Sequence, residues 1–192
     1  RGNEEFLRSF SRRPEKDVIL PGDLLHVDFG ITYLRLNTDQ QQHFYVLRPG
    51  EKEVPKGLRE AFARGNRLQD ILVSQFAEGK TGNEILADAL AQARAEGIQA
   101  SIYTHPIGLH GHAAGPTIGL WDRQQGVPGQ GDYPLFSNTA YSIELFAASE
   151  VPEWDGKIVR IMLEEDGVFQ NGKFWFLDGR QEEILTIPRM SK

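Results

Sequence analysis

Acidic residues inside apolar, strand-like segments place the strongest constraint on how this chain can fold. Asp28 lies in HVDFG, Glu144 lies in YSIELF, and Glu164 directly follows IVRIML. Burying an ionised carboxylate is costly unless a hydrogen-bond donor, an opposite charge or a metal ion compensates for the lost water. We therefore expect the strands that carry these acids to meet at a polar site.

Composition is typical of a globular protein with one core. The chain has 192 residues, of which 40% are hydrophobic and 25% are charged. This length fills one core and is short for two, so we predict a single domain over residues 1–192. No cysteine is present, so any metal must be bound by His, Asp and Glu.

The charge and hydropathy of the chain limit the kinds of partner that it is expected to bind. The formal net charge is −6, which disfavours nucleic acid and anionic membranes as partners. No apolar run approaches the roughly 18 residues that span a membrane. The N-terminal segment RGNEEFLRSFSRRPEKD lacks the apolar centre of a secretion signal, so we expect a cytoplasmic protein.

Turn signals and hydrophobic periodicity predict strands, then two helices, then more strands. Residues 24–36 and 43–51 are predicted to form an antiparallel pair, and residues 58–79 a helix that Gly79 ends. Thr81-Gly82-Asn83-Glu84 is a capping box that opens a second helix, which Gly97 ends. Later strands are predicted in IQASIYTH, AYSIELFAA, KIVRIMLEEDGVF, KFWFLD and EEILTI. This order predicts an α+β fold with an antiparallel sheet.

Four acids and one histidine form an ordered series of candidate metal ligands: Asp28, Asp39, His105, Glu144 and Glu164. Any one acid taken alone is more often a surface carboxylate. Together they are hard ligands that suit Mn, Fe, Co or Zn, and carboxylates can bridge two cations that activate a shared hydroxide. Without metal, the converging acids would repel one another and raise each other's pKa.

The spacing of this series resembles one family. Asp28-Phe29-Gly30 is a D-x-G segment, and Asp39 follows Asp28 by eleven residues. Residues 105–112 fit H-x-x-G-x-x-x-H, residues 142–145 resemble T-I-E-P, and residues 163–166 resemble I-E-E/D-D. The series is similar to that of the pita-bread metallopeptidases, which include methionine aminopeptidases, Xaa-Pro aminopeptidases and prolidases. The Xaa-Pro branch is the most similar.

The resemblance implies a fold and an activity. The expected fold is the α+β pita-bread fold, a curved antiparallel sheet flanked by helices. The expected activity is metal-dependent hydrolysis of the N-terminal peptide bond of short peptides, with a preference for Xaa-Pro. Two divalent cations (Mn, Co, Zn or Fe) are the implied cofactors, and a short peptide is the implied partner. A homodimer is expected on general grounds.

The resemblance also implies roles for the five ligands. Asp28 would chelate one metal, and Asp39 and Glu164 would bridge both. His105 and Glu144 would complete the second metal. A hydroxide shared by the metals would attack the scissile carbonyl, and Glu144 would also shuttle protons.

The two remaining histidines of residues 104–116 are assigned to the substrate. His112 would not bind metal, but would hydrogen-bond the substrate or the developing oxyanion. His110 occupies a position where the family often has an acid, and we expect it either to contact substrate or to be structural. His43, in QQHFYV, is predicted to face solvent.

The chain departs from the family pattern in several places. The family often has V-R-I-E where this chain has Val159-Arg160-Ile161-Met162. A thioether is a poor ligand for a hard bridging position. Strand alternation puts Glu164 on the face of Met162 and turns Glu165 away, which favours Glu164 as the ligand.

Other departures concern the histidines and the chain start. Ala113 replaces the Glu that commonly follows the second His, and no histidine precedes His26. His26 shares the strand face of Asp28 but receives no assigned role. The chain starts late for this family, so we expect an N-terminal helix or a preceding domain in the complete protein.

Two alternatives to a peptidase stay open from the sequence. One is a pita-bread enzyme that hydrolyses a non-peptide C–N bond without metal, as creatinase-like members do. The other is a binding protein that keeps the fold without the chemistry, which Met162 and the missing upstream histidine favour.

Overall fold

A computed structural model describes residues 18–188, and its first part is a strand pair. The first four strands are β1 (Leu24–Phe29), β2 (Thr32–Tyr33), β3 (Leu36–Asn37) and β4 (Gln40–Val46). β1 and β4 pair antiparallel, as predicted. The prediction of one strand over residues 24–36 is wrong, since β1 stops at Phe29. Leu34 and Arg35 then take positive φ angles of 48° and 71° and turn β2 back onto β3.

Two helices follow, α1 (Lys56–Ser74) and α2 (Gly82–Ala95). The Thr81 side chain accepts from the backbone N–H of Glu84 and the Glu84 side chain accepts from the backbone N–H of Thr81, so the predicted capping box is present. The prediction that α1 runs to Gly79 is wrong. The chain leaves the helix after Ser74 and buries Phe76 against aromatic rings that include Tyr141.

Eight later strands form two further sheets and complete the first one. They are β5 (Gln99–Ile102), β6 (His105–Pro106), β7 (Thr139–Ser142), β8 (Leu145–Val151), β9 (Lys157–Leu163), β10 (Asp166–Gln170), β11 (Lys173–Phe176) and β12 (Leu185–Ile187). One sheet has the order β5-β8-β9 and the other has the order β11-β10-β7-β6. β12 joins β4 at the edge of the β1-β4 pair.

Three chain segments cross from one of these two sheets to the other. Each was predicted as one strand, but the structure divides it into two: β5 and β6, β7 and β8, β9 and β10. Each break spans two residues, at 103–104, 143–144 and 164–165. Backbone hydrogen bonds join the breaks to each other. The N–H of Tyr103 donates to the carbonyl of Glu144, and the N–H of Ile143 donates to the carbonyl of Glu165, both at 2.9 Å. Polar side chains therefore collect where the sheets meet.

The apolar core lies between the helices and the sheet β5-β8-β9. α1 packs on β8 and β9, and α2 packs on α1 and β5. Leu58, Leu68 and Leu72 of α1 are fully buried, as are Ile161 and Leu163 of β9. Glu144 directly precedes β8 and Glu164 directly follows β9, so these polar residues lie at the edge of this core.

The sheet prediction holds with one exception. The described strand pairs are antiparallel apart from β12, which pairs parallel with β4 in the register Leu185↔Phe44. The chain reaches this edge from β11 through residues 177–184. Within residues 18–188, no helix is long and apolar enough to cross a membrane.

The prediction that His43 faces solvent is wrong. Its side chain is 1% exposed, and its ring lies 5.7 Å from that of Phe62 on α1 and 5.1 Å from that of His26. Burial, followed by the nearby His26, lowers the pKa of His43 to about 3. A neutral imidazole in this place is an ordinary core packing group.

We expect His43→Phe to make the fold less sensitive to acid. His43 titrates near 6.5 when unfolded and near 3 when folded, so the unfolded chain binds one more proton between these values. The stability that neutral His43 contributes is complete above 6.5 and is lost as the pH falls through this window, with a slope of about 1.4 kcal/mol per pH unit.

Urea unfolding at several pH values, on wild type and His43→Phe, measures this slope. The two free energies of unfolding should diverge below pH 6.5, with the wild type losing more. Parallel pH profiles would contradict the assignment.

Candidate metal centre

The structure gathers the predicted ligands at strand ends. Asp28 lies in β1, Asp39 directly precedes β4, and His105 opens β6. Glu144 and Glu164 lie in the breaks that follow β7 and β9. The backbone of Gly30 passes so close to the carbonyl oxygen of Thr38 that a Cβ would collide with it. The glycine of the D-x-G segment therefore lets β1 approach the residue next to Asp39.

Three of these residues form a compact cluster. Asp39, His105 and Glu164 each present one ligand atom, and these atoms lie within 4.8 Å of one another. His105 and Glu164 are both 2% exposed, whereas Asp39 is half-buried and opens toward solvent. A cation could therefore be held on one side and remain accessible on the other.

His105 has the tautomer that metal binding requires. Its Nδ1 lies 3.2 Å from the carbonyl oxygen of Pro106, which can only accept, so Nδ1 carries the proton. Its Nε2 is buried without a hydrogen-bond partner among the described residues. This nitrogen lies 3.8 Å from Glu144 Oε2 and 3.7 Å from Glu164 Oε1, too far for hydrogen bonds. An unused lone pair between two carboxylates fits a divalent cation well.

The raised pKa values of the acids at the cluster also favour the binding of a cation. Burial, then Glu164, Asp28 and Asp39 in that order, raises the pKa of Glu144 to about 9. Burial, then Glu164 and Asp28, raises the pKa of Asp39 to about 6. The pKa of Asp28 is also raised, first by burial and then by Glu164. Acids held together in this way repel one another, and a bound divalent cation would reverse that balance.

Two donors that were not predicted hold the carboxylates. The Ser142 hydroxyl donates to Glu164 Oε1 at 2.6 Å. The Gln41 amide donates to Glu164 Oε2 at 2.8 Å and lies 3.3 Å from Glu144 Oε1 and 3.5 Å from Asp28 Oδ2. Gln41 follows Asp39 by two residues and Ser142 precedes Glu144 by two, so strand alternation was the signal that could have identified both.

Asp166 is a third group that was not predicted. Its Oδ2 accepts from the backbone N–H of Asp39 at 3.2 Å, which anchors the start of β4. Burial raises the pKa of Asp166 to about 6, although the Asp39 N–H acts against this shift. Asp166 therefore positions Asp39, and its place directly after the two glutamates was the available signal.

The contacts of Met162, Glu164 and Glu165 show which of the three belongs to the cluster. Met162 pairs with Phe146 within the β8–β9 ladder, short of the cluster. Glu165 turns away, and its Oε1 accepts from the backbone N–H of Gln181 at 2.8 Å. Only Glu164 of the three has a carboxylate oxygen in the compact cluster.

His112 lies beside the cluster, whereas His110 does not contact it. The His112 ring is 4.1 Å from the His105 ring and stacks on Tyr103 at 5.8 Å. Burial, then the neighbouring His105, lowers the pKa of His112. His110 is exposed, and within residues 18–188 its side chain makes no hydrogen bond or ring contact with the predicted ligands.

Comparison with known proteins agrees with this geometry. The profile of metallopeptidase family M24 matches residues 4–169. The chain belongs to metallopeptidase family M24. No curated protein sequence matches it.

Solved structures of M24 proteins share the fold. An X-Pro aminopeptidase from Thermotoga maritima MSB8 is similar with a TM-score of 0.64 and 22% identity, over 86% of this chain and 42% of that chain. A dipeptidase from Pyrococcus horikoshii OT3 is similar with a TM-score of 0.66 and 18% identity, over 93% and 45%. A methionine aminopeptidase from Thermotoga maritima has a TM-score of 0.61 and 17% identity, over 85% and 66%.

These matches confirm the predicted pita-bread α+β fold and the family. The chain spans 42% and 45% of the first two relatives, so it corresponds to less than half of their length.

We expect a divalent cation to stabilise chelator-treated protein through His105. Ligand binding to the folded state alone stabilises by mass action, and a hundredfold excess over Kd raises Tm by roughly 5–10 °C for a chain of this size. Thermal unfolding with and without Mn²⁺ measures the shift. His105→Ala should lose it.

His110→Ala is the matched control, because it removes an exposed histidine of the same loop and should keep the Mn²⁺ shift. An equal Mn²⁺ shift in His105→Ala would contradict the assignment of His105 as a ligand.

Proposed function

We propose that the chain forms the catalytic domain of a metal-dependent peptidase that hydrolyses the N-terminal peptide bond of short peptides. The observation that carries the proposal is the buried, unpaired Nε2 of His105 facing Glu144 and Glu164 in a member of family M24. When bound, a pair of divalent cations supplies an activated hydroxide and polarises the scissile carbonyl.

The ligands proposed for the two cations share strand ends and hard donor atoms: Asp28, Asp39, His105, Glu144 and Glu164. Asp39 and Glu164 would hold both cations, and both belong with His105 to the compact cluster. Mn, Co, Zn or Fe all suit this donor set. Asp166 and Ser142 hold Asp39 and Glu164 in place through the hydrogen bonds described above.

Proton transfer is proposed for Glu144. Its backbone carbonyl is fixed by two donors, the N–H of Tyr103 at 2.9 Å and the hydroxyl of Thr104 at 3.0 Å. This fixed position lets the carboxylate take a proton from the nucleophile and deliver it to the leaving amine without a large movement.

Substrate contacts are proposed for His112 and His110. His112 stands at the exposed side of the cluster and can donate a hydrogen bond to the carbonyl oxygen of the scissile bond. His110, exposed on the same loop, is proposed to contact the peptide farther from the reacting bond.

A preference for Xaa-Pro is the proposed specificity. It is supported by the similarity to an X-Pro aminopeptidase and to a prolidase from Thermococcus sibiricus, which is 20% identical over 91% of this chain and 43% of that chain with a TM-score of 0.65. A cytoplasmic location and a homodimer stay predictions, and light scattering tests the second.

We expect hydrolysis of Xaa-Pro dipeptides to require added Mn²⁺ or Co²⁺ and to be lost in Asp39→Ala. Metal activation contributes several kcal/mol to such reactions, so kcat/KM should fall about a thousandfold. Product release from Xaa-Pro, Xaa-Ala and longer peptides, measured with and without metal, provides the test. Asp178→Ala, an exposed aspartate after β11, is the control.

Each outcome of that assay separates the candidate functions. Hydrolysis of these peptides without metal would contradict the proposed metal dependence, and no hydrolysis of any peptide with or without metal would favour the non-peptide C–N hydrolase alternative. Peptide binding without turnover would favour a binding protein. Full activity in Asp39→Ala would refute its role as a bridging ligand.

We expect His112→Ala to lower kcat about 10²-fold while metal binding is retained, because it removes a hydrogen bond to the developing charge. His110→Ala should raise KM with little change in kcat. Steady-state kinetics alongside Mn²⁺ titration distinguishes the two effects. A His112→Ala enzyme with unchanged kcat would remove His112 from the mechanism.

A further inference from the structure

A cavity of about 550 Å³ lies against the sheet β5-β8-β9. Its apolar floor includes Phe146 and Ala148 of β8 and Ile158 of β9. Two arginines line it, Arg94 near the end of α2 and Arg160 of β9. Among the residues that the structure describes, no acid lines this cavity. It is therefore a cationic recess in a chain whose net charge is −6.

Both guanidinium groups lack an acidic partner. In the described part of the chain, the side chains of Arg94 and Arg160 form no ion pair and no hydrogen bond. The Arg160 guanidinium instead lies 5.2 Å from the centre of the Phe146 ring. A guanidinium held over an aromatic face keeps its N–H groups available, and their geometry matches the two oxygens of a carboxylate. The cavity therefore suits an anionic group.

A row of aromatic rings connects the cavity to the candidate metal centre. The ring of Tyr103 stacks on that of His112 at 5.8 Å and lies 5.7 Å from that of Trp121. The Trp121 ring in turn stacks on Phe146 at 5.4 Å. These rings form a continuous wall, so a bound peptide can follow it from the metal centre to Arg160.

Gln124 fixes the loop that carries Trp121. Its side-chain amide accepts from the backbone N–H of Ile102 at 3.0 Å and donates to the carbonyls of Ile102 and Leu120 at 2.9 and 2.6 Å. The two bonds to Ile102 are those that a neighbouring strand would make at the edge of β5. The fold thus sets the position of the wall before any peptide binds.

The place of the cavity along the strands determines which part of a peptide can reach it. Phe146 follows Glu144 by two residues, and Arg160 precedes Glu164 by four. At roughly 3.3 Å per strand residue, these positions lie about 7 and 13 Å from the metal centre. An extended peptide advances by a similar distance per residue, so the second or third residue after the scissile bond reaches the Arg160 guanidinium.

Only the carboxyl side of a substrate fits this direction. Cleavage of an N-terminal peptide bond leaves one residue on the amino side, which is too short to reach the cavity, and two guanidinium groups would repel its ammonium group. Met162 lies between Arg160 and Glu164 on the same strand face. Its thioether offers no charge to the carboxylate of a dipeptide, which ends close to the metal centre.

We propose that Arg160, together with Arg94, binds a carboxylate carried by the second or third residue after the scissile bond. This inference rests on the proposed peptidase function and names its substrate class, which is tri- and tetrapeptides in preference to dipeptides. The carboxylate comes from the C-terminus or from an acidic side chain, because both present the same two oxygens to a guanidinium.

The test measures hydrolysis of three tetrapeptides by Mn²⁺-loaded protein. Ala-Pro-Ala-Ala ends in a carboxylate, Ala-Pro-Ala-Ala-amide carries none, and Ala-Pro-Glu-Ala-amide carries one on a side chain. Because a hydrogen bond to a charged group is worth about tenfold in an equilibrium constant, the acidic peptides should have a KM about tenfold below that of the neutral one. The dipeptide Ala-Pro should have no such advantage over its own amide.

Variants of the arginines identify the group that binds the carboxylate. Arg160→Gln should raise the KM of the acidic peptides about tenfold, to the value of the neutral peptide, and Arg160→Lys should raise it less because the charge remains. Arg94→Gln, which alters an exposed guanidinium, should raise it roughly two- to fivefold. Arg64→Gln is the matched control, because Arg64 is exposed on α1 and does not line the cavity.

Calorimetric titration with product peptides tests the contact without turnover. Pro-Ala-Ala should bind Mn²⁺-loaded wild type about tenfold more tightly than Pro-Ala-Ala-amide, and Arg160→Gln should abolish this difference. If no peptide is hydrolysed while the difference in binding persists, the peptidase proposal fails and the carboxylate site stands.

The remaining outcomes also decide the inference. An advantage for only one of the acidic tetrapeptides identifies the source of the carboxylate and supports the proposal. Equal KM and equal product affinity for acidic and neutral peptides in wild type would show that the arginines do not bind the substrate. Equal losses for acidic and neutral peptides in both Arg160→Gln and Arg160→Lys would show that Arg160 only supports the strand.

Discussion

Like-charge repulsion among converging carboxylates is the interaction on which this structure depends. Asp28, Asp39, Glu144 and Glu164 meet at one place, where burial and mutual repulsion raise the pKa of the first three. Neutral donors such as Ser142 and the Gln41 amide offset part of that repulsion. A divalent cation offsets much more, because it carries the charge that these donors lack. The fold therefore holds an arrangement that is costly by itself and favourable with metal.

The crossing segments explain how the fold can hold that arrangement. His105, Glu144 and Glu164 lie at or next to the three points where the chain passes between the sheet β5-β8-β9 and the sheet β11-β10-β7-β6. Inside a sheet, a side chain points to one of two faces. At a break between strands the chain changes sheet, and polar side chains from both sheets can turn toward a shared space. The apolar core beneath α1 extends up to this place, because Leu163 at the end of β9 is fully buried directly before the proposed ligand Glu164.

Much of the fold could be predicted from sequence, and so could the meeting of the candidate ligands Asp39, His105 and Glu164, because both leave local patterns in the chain. The capping box of α2 and the antiparallel pairing of β1 with β4 follow from residues close in the chain. The spacing of Asp28 and Asp39 pointed to the family that the profile match shows. His43 was mispredicted because its burial depends on a contact with the ring of Phe62 on α1, which the alternation pattern of β4 alone does not reveal. The contacts of Gln41 and Ser142 likewise depend on how separate strands come together.

The three crossings also couple the geometry of the candidate metal centre to the alignment of the two sheets. Since each sheet contributes strands that flank the proposed ligands, the spacing of their side-chain oxygen and nitrogen atoms depends on how the two sheets sit against each other. A small slide or twist of one sheet would change three ligand positions together, whereas a change within a single loop would alter one. The centre thus links the alignment of the two sheets to the geometry that a cation meets, and occupation of the centre would fasten the sheets to each other.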